Sequence, residues 1–404
     1  MKWDIDAVRS QFPALKMQVG GEPAVFFDGP GGTQVPRRVL DSLEHYLVRA
    51  NANRGGPFVT SEKTEEIIEE GRLAAATLLG ASPEEVAFGA NMTTLNYSLS
   101  RALLRHLNPG DEIVITDLDH EANRGPWLAL SEMGMEVRSV RIDPGDGSLD
   151  LEHLASTVTP RTRVAAITAA SNALGTIVDT AKVRRLLPDD CILVVDGVHF
   201  TPHEPVDVRA MDCDFFLCSA YKFFGPHIGV LYGRSRFFER LETDRLRPQK
   251  DSPPDRIETG TLNHEGIAGT AAAVAFMADP MATGRSLDRQ GLLDSVRAMK
   301  SYENELFETL YRGLESIPGV TIHGPGLDVP RTPTAGFTVE GKDARTVVEH
   351  LGHSGIFAWD GHFYAMTLVE KLAPGPGGLV RVGLAPYNTR GEVERLLQRV
   401  ESMV

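Results

Sequence analysis

Seven short apolar runs, over 85–90, 112–116, 136–140, 163–168, 192–196, 214–219 and 228–233, recur along the chain, with helical patterns before and between them, as over 37–51 and 61–79. Such runs read as strands, and the one over 191–199 as a strand buried on both faces, which occurs where helices cover a sheet. Their alternation with helical stretches predicts an α/β fold on a large, mostly parallel sheet, with ligands at the carboxyl ends of its strands. After about residue 270 the pattern changes: a long helical region over 287–314 leads into strand-like pieces at 320–323, 335–339 and 380–383 and a terminal helix from 390. A second, smaller α+β unit is expected there. The change of pattern divides a large domain over 17–275 from a small domain over 276–404. At 404 residues and 42% hydrophobic, the chain can bury a core large enough for two such units.

Two of the runs end in chemistry. The run over 192–196 closes on Asp196, and a buried carboxylate is costly unless a cation or a hydrogen bond compensates it. The run over 214–219 leads into Ser219-Ala220-Tyr221-Lys222-Phe223-Phe224-Gly225-Pro226, which sets one lysine among aromatic and apolar residues. A lysine ending a buried strand often carries its charge out to water along its apolar stem. Kept in an apolar setting instead, it loses its proton more readily and becomes an amine able to attack a carbonyl, as a Schiff-base lysine must. The two residues together suit pyridoxal 5'-phosphate, whose aldehyde needs the amine and whose pyridinium nitrogen needs an acidic partner. The stretch Phe88-Gly89-Ala90-Asn91-Met92-Thr93-Thr94 reads as a strand, a small-residue turn and a helix start, where free N–H groups and hydroxyls can hold a phosphate. Thr93 is expected to cap that helix and bind at once.

The order Asp196-x-x-His199, then Ser219-x-Tyr221-Lys222-x-x-Gly225-Pro226, resembles the class V aminotransferase group of fold-type I pyridoxal phosphate enzymes, which includes cysteine desulfurases and selenocysteine lyases. The resemblance runs from 27–32 to 380–389, and the stretch through Pro226-His227 is similar to the cysteine desulfurase-like branch. It implies that 1–16 join 276–404 in the small domain. It implies a pyridoxal 5'-phosphate enzyme with Lys222 as the Schiff-base residue and Asp196 at the pyridine nitrogen. It implies that Met92, Thr93, Ser219 and Tyr221 hold the phosphate, with the register of the turn over 91–94 left open. It implies that His120 stacks on the pyridine ring and relays protons, that Asn172 and His199 meet the phenolic oxygen, and that Arg381 grips the substrate α-carboxylate by a bidentate fork. Thr261 matches a phosphate-binding threonine given by the neighbouring subunit, which implies a homodimer with shared active sites. His199 and His203 are spaced i, i+4, but without a third ligand pattern no metal site is expected.

The chain departs from the desulfurases where they carry Arg-Thr-Gly-His-His-Cys-Ala. Here the aligned residues are Trp359-Asp360-Gly361-His362-Phe363-Tyr364-Ala365, so Tyr364 stands at the thiol position and no cysteine follows Cys218. Persulfide chemistry through this loop is therefore not expected, and Trp359 suggests room for a bulkier or more apolar substrate side chain. His362 and Tyr364 are candidate substrate-binding residues and proton donors. The expected reaction is carbon–sulfur β-elimination from a cysteine derivative. Transamination, racemisation of the isopenicillin N epimerase kind, desulfuration through Cys218 or an external thiol, and a non-catalytic binding role are the alternatives.

Charge and cysteine usage narrow the setting. A net charge of −14 without clustered Lys and Arg speaks against a nucleic-acid surface. Cys191, Cys213 and Cys218 lie in or beside apolar runs without paired spacing and read as reduced core residues. The residues from Met1 to Asp6 show no apolar signal region, and no membrane-length apolar run occurs, so the expected address is the cytoplasm.

Overall fold

The structure, a computed structural model, describes residues 3–372, 375 and 377–404. The expectations that touch residues 1, 2, 373, 374 and 376, among them parts of the signal-region reading and of the small-domain range, lie outside the described residues.

Seven strands build the large sheet: β1 Val86–Gly89, β2 Glu112–Thr116, β3 Glu136–Val140, β4 Thr162–Thr168, β5 Ile192–Asp196, β6 Phe215–Ser219 and β7 Gly229–Gly233. Their spatial order is β3-β2-β4-β5-β6-β7-β1. Every pairing from β3 to β6 is parallel, whereas β7 runs antiparallel to both β6 and β1. The mostly parallel α/β sheet expected from the sequence is the one observed. Its interior strands are buried along almost their whole length, while β3 at the edge is mostly half-exposed. Alternate residues feed two cores on opposite faces: Val114, Leu193 and Val195 join one, and Ile113, Ile115 and Val194 the other. That is the period-two alternation of a sheet covered on both sides.

Helices Arg37–Arg49 and Val59–Leu79 pack against the apolar helix His264–Ala278 on one side of this sheet. A second sheet holds β8 Val320–His323, β9 Thr334–Val339, β10 Trp359–Gly361 and β11 Leu379–Gly383, in the order β8-β9-β11-β10 and antiparallel throughout. Val380, Val382, Phe337 and Val339 pack with residues of the helices Arg289–Ser316, Ala344–His353 and Arg390–Glu401 into a third core. The N-terminal helix Ile5–Ser10 is tied to this part of the chain through Arg9, which donates to Tyr387 O at 2.6 Å and pairs with Glu392 at 2.8 Å. Among the described residues, no helix is long and apolar enough to cross a membrane.

Two pairings bring the second sheet to the site. Asp28 bridges in parallel to Gly383 at the end of β11, and the short strand Val25–Phe26 pairs with Ile356–Phe357 just before β10. The chain around Pro30 and Gly31 is thereby held against β10 and β11, above the carboxyl ends of β4, β5 and β6.

Candidate active site

The sheet register lines up the chemistry. Asp196 ends β5, Ser219 ends β6, and Gly229, which opens the antiparallel β7, lies opposite both Ser219 and Gly89. A turn then starts helix Met92–Leu104 at the same end of the sheet. Around it lies a cavity of about 540 Å³ lined by Met92, Thr93, His120, Asn172, Asp196, His199, Ser219, Tyr221 and Lys222, together with Asn91, Thr94 and His227. An adjoining cleft of about 630 Å³ shares Thr93, His120, Asn172, Tyr221 and Lys222, and adds Trp359, His362, Phe363, Tyr364 and Arg381. All but one of the residues singled out from the sequence therefore converge. Thr261 is the exception: within this chain it lines a separate cleft with Arg54, Lys250 and His264.

Lys222 ends the short turn Ala220–Lys222 and is 8% exposed, with Nζ donating to Pro30 O and lying 5.2 Å from the Tyr221 ring. Burial, with Arg381 adding to it and Asp196 opposing it, brings its ammonium down to about 7. Phe224, two residues on, sits in the left-handed region at φ 69°, rare for so large a side chain, and its N–H donates to Thr33 Oγ1 at 2.8 Å. Asp196 accepts from Val198 N at 2.9 Å, and burial raises its carboxyl to about 6 despite Lys222 nearby. Asp28, the acidic neighbour of Arg381, is likewise raised to about 6 by burial.

The turn before helix Met92–Leu104 corrects one expectation. Thr93 does not cap the helix: Asn91 does, its Oδ1 accepting from Thr94 N at 2.9 Å, because its carboxamide reaches the donor three residues on. Thr93 is the second helical residue, exposed and facing the cavity. Ser219 Oγ accepts from Met92 N at 3.0 Å and so fixes the turn to β6. A Cβ on Gly229 would come within 2.4 to 2.8 Å of Asn91 backbone atoms, so this glycine lets the turn lie directly on β7.

Around the opposite end, His120 caps helix Glu121–Leu128, its Nδ1 accepting from Ala122 N at 2.9 Å. Burial first, then Lys222, Arg381 and His362, push its imidazolium down to about 4, so the ring is neutral at pH 7 with its proton on Nε2. Asn172 donates to Phe363 O at 2.9 Å and its Oδ1 is buried without a partner. His199 Nε2 lies 3.1 Å and 3.0 Å from the Thr332 and Thr334 hydroxyls, which leaves Nδ1 as the ring atom available to the phenolic oxygen expected here. Arg381, in the middle of β11, is 4% exposed, donates to Asn172 O at 3.0 Å and carries the Phe363 ring 4.3 Å from Cζ. Burial lowers it to about 9.

Phe363 and Tyr364 both take left-handed backbone, φ 53° and 58°. This bend puts the Tyr364 ring over His120 at 5.4 Å and 28°, and Tyr364 O accepts from Glu121 N at 2.7 Å. Tyr364 and His362 are both exposed at the mouth. His227, quoted in the sequence only as part of a signature, stacks on Tyr221 at 5.0 Å and 15° and lines the cavity. Its place directly after Gly225-Pro226 was the available signal.

These residues fit pyridoxal 5'-phosphate. The turn offers helix-start N–H groups and two threonine hydroxyls at a spot cleared by Gly229, the far end offers a buried carboxylate, and an amine of lowered basicity lies between them. The thiols stand apart from this set. Cys191, Cys213 and Cys218 are free and 0 to 1% exposed, and burial pushes Cys191 and Cys218 up to about 12 and raises Cys213 as well.

Comparison with known proteins agrees on the kind of molecule. The family model described as aminotransferase class-V matches residues 25–396. The whole chain is 32% identical to the aminotransferase-like protein FGM3 of Gibberella zeae, covering 99% of it, and 32% identical to a cysteine desulfurase of Serratia proteamaculans, covering all of it. Among solved structures, the apo cysteine desulfurase of Thermococcus onnurineus NA1 aligns over 100% of this chain and 98% of its own, with a TM-score of 0.88 at 26% identity. The cysteine desulfurase CsdA of Escherichia coli aligns over the same shares with a TM-score of 0.85 at 25% identity.

Proposed function

Since this chain belongs to the aminotransferase class-V family and is a pyridoxal 5'-phosphate-dependent enzyme, we propose that it is a carbon–sulfur β-lyase acting on an S-substituted L-cysteine without a persulfide cysteine. The observation that carries this reading is the contrast between its nucleophiles: Lys222 is brought down to about 7, whereas Cys218 is sealed in β6 and pushed up to about 12. A thiolate is the form that attacks sulfur, and a thiol at about 12 does not supply it at neutral pH. Desulfuration through Cys218 is disfavoured on the same ground.

When bound, the cofactor withdraws electrons from Cα of the amino acid, which makes the α-proton removable. The protein does the rest. Arg381 holds the α-carboxylate and fixes which bond at Cα faces the amine. Lys222, neutral above about pH 7, takes the α-proton. The Cβ–S bond then breaks, and a proton from His362 or Tyr364 at the mouth converts the leaving sulfur to a thiol. The electrons of the lost Cα–H bond form a Cα–Cβ double bond, and the released 2-aminoacrylate takes a proton at Cβ and is hydrolysed by water to pyruvate and ammonia. His120, held neutral with its proton on Nε2, presents an uncharged ring beside the site, and the Tyr364 ring stacks over it at the mouth. The proposal includes a cytoplasmic homodimer in which Thr261 serves the partner's phosphate site; free, buried cysteines suit a reducing compartment.

The test is to supply S-substituted L-cysteines and follow thiol and pyruvate together with the cofactor spectrum. Stoichiometric release of both over many turnovers is the expected result. A halt after one turnover with the cofactor left as pyridoxamine 5'-phosphate would make the enzyme an aminotransferase, and loss of optical activity without keto acid would make it an epimerase.

A further inference from the structure

In the antiparallel pair β10–β11, Trp359 stands directly opposite Arg381. Directly opposed residues project to the same face with Cβ atoms about 5 Å apart, so an indole and a guanidinium share one wall of the substrate cleft. The guanidinium is committed on two sides: Nη1 donates to Asn172 O and the Phe363 ring covers its face. Its Nε is buried without a partner. Gly31 lies beside Nη2. A Cβ built on Gly31 would lie 2.8 Å from Trp359 Nε1 and 3.5 Å from Arg381 Nη2. The absence of a side chain therefore lets the indole N–H lie close against the Gly31 backbone, with Arg381 Nη2 beside it on the same wall of the cleft.

Both are donors without acceptor capacity, one charged and one neutral. A group that satisfies both at once must carry negative charge and two acceptors a short distance apart, which is the shape of a carboxylate. Trp359 is half-exposed and lines the cleft beside Arg381. The bulk of this residue suggests, in the sequence alone, a pocket for the substrate side chain; the strand register assigns it to the opposite, carboxylate end.

We propose that Trp359 is a substrate-positioning residue whose indole Nε1–H binds one oxygen of the α-carboxylate while Arg381 binds the other, on the cleft wall beside Gly31. This rests on the reading of Arg381 as the carboxylate anchor given above. Substrates without a free α-carboxylate are thereby penalised twice.

The test uses the holoenzyme and two probes, L-alanine, which has no β leaving group, and ethylamine, the same molecule without its carboxylate. Binding is read from the cofactor spectrum and from tryptophan fluorescence. Trp359→Phe keeps the ring and removes the donor, and should weaken L-alanine about tenfold, the value of one hydrogen bond to a charged group, while leaving ethylamine unchanged. Gly31→Ala puts a Cβ against Trp359 Nε1 and displaces that donor, and should show the same selective loss. Equal weakening of both probes by Trp359→Phe would reduce the tryptophan to a packing wall and overturn the proposal, as would no change in either. Arg381→Lys separates the two readings. If it weakens L-alanine while Trp359→Phe and Gly31→Ala do not, only the role of Trp359 falls; if it leaves L-alanine unchanged, the carboxylate site itself lies elsewhere.

Discussion

Lys222 shows what burial does to a single group. The cost of keeping a charge out of water outweighs the attraction of Asp196, so the amine is protonated below about pH 7 and free above it, where an ordinary lysine would stay protonated to about 10.5. Capture of pyridoxal 5'-phosphate by the apoenzyme requires the free amine. Its rate, followed by absorbance after rapid mixing, should therefore rise through a midpoint near pH 7 and level off above it; a rise only toward pH 10 would show a solvated lysine. Asp196 gives the complementary expectation. Removing one partner of a buried charge pair costs about 3 kcal/mol or more, so Asp196→Ala should lower affinity for the cofactor by about 100-fold or more, measured by dialysis and by residual absorbance.

Among the elements, the phosphate turn depends on close approach. At Gly229 the atoms a side chain would meet belong to the Asn91 backbone, which cannot rotate away, so Gly229→Ala must push the turn off β7. Cofactor affinity should fall at least about tenfold while the far-ultraviolet spectrum is kept; unchanged retention of the cofactor on gel filtration would show that the turn does not hold the phosphate. The strands that carry the site were legible in the sequence because they are buried on both faces, and β2 and β5 begin and end where their apolar runs do. Asp196 and Lys222 were legible for the same reason, since a charged group closing such a run has to be explained. What escaped depends on partners far along the chain. β10 is three residues long and exists through its register with β11, and the strands Val25–Phe26 and Ile356–Phe357 exist through each other. Asn91 displaced Thr93 as the cap because the geometry of the turn, rather than residue preference, decides which oxygen reaches the third N–H.

For the whole molecule, the position of Thr261 sets the sharpest expectation. It lines a cleft apart from Lys222 within one chain, and the proposed dimer makes it serve the partner's site. Mixing Lys222→Ala subunits with Thr261→Ala subunits should then create one complete site per hybrid dimer and restore activity toward half of the native value per hybrid. No recovery after verified subunit exchange would assign Thr261 to its own chain or to no site. With its three sulfhydryls sealed inside the fold, the molecule presents no native handle to maleimides or mercurials. A cysteine introduced in place of the exposed Tyr364 would be its single addressable thiol, which makes this protein a background-free host in which sulfane-sulfur transfer can be sought one side chain at a time.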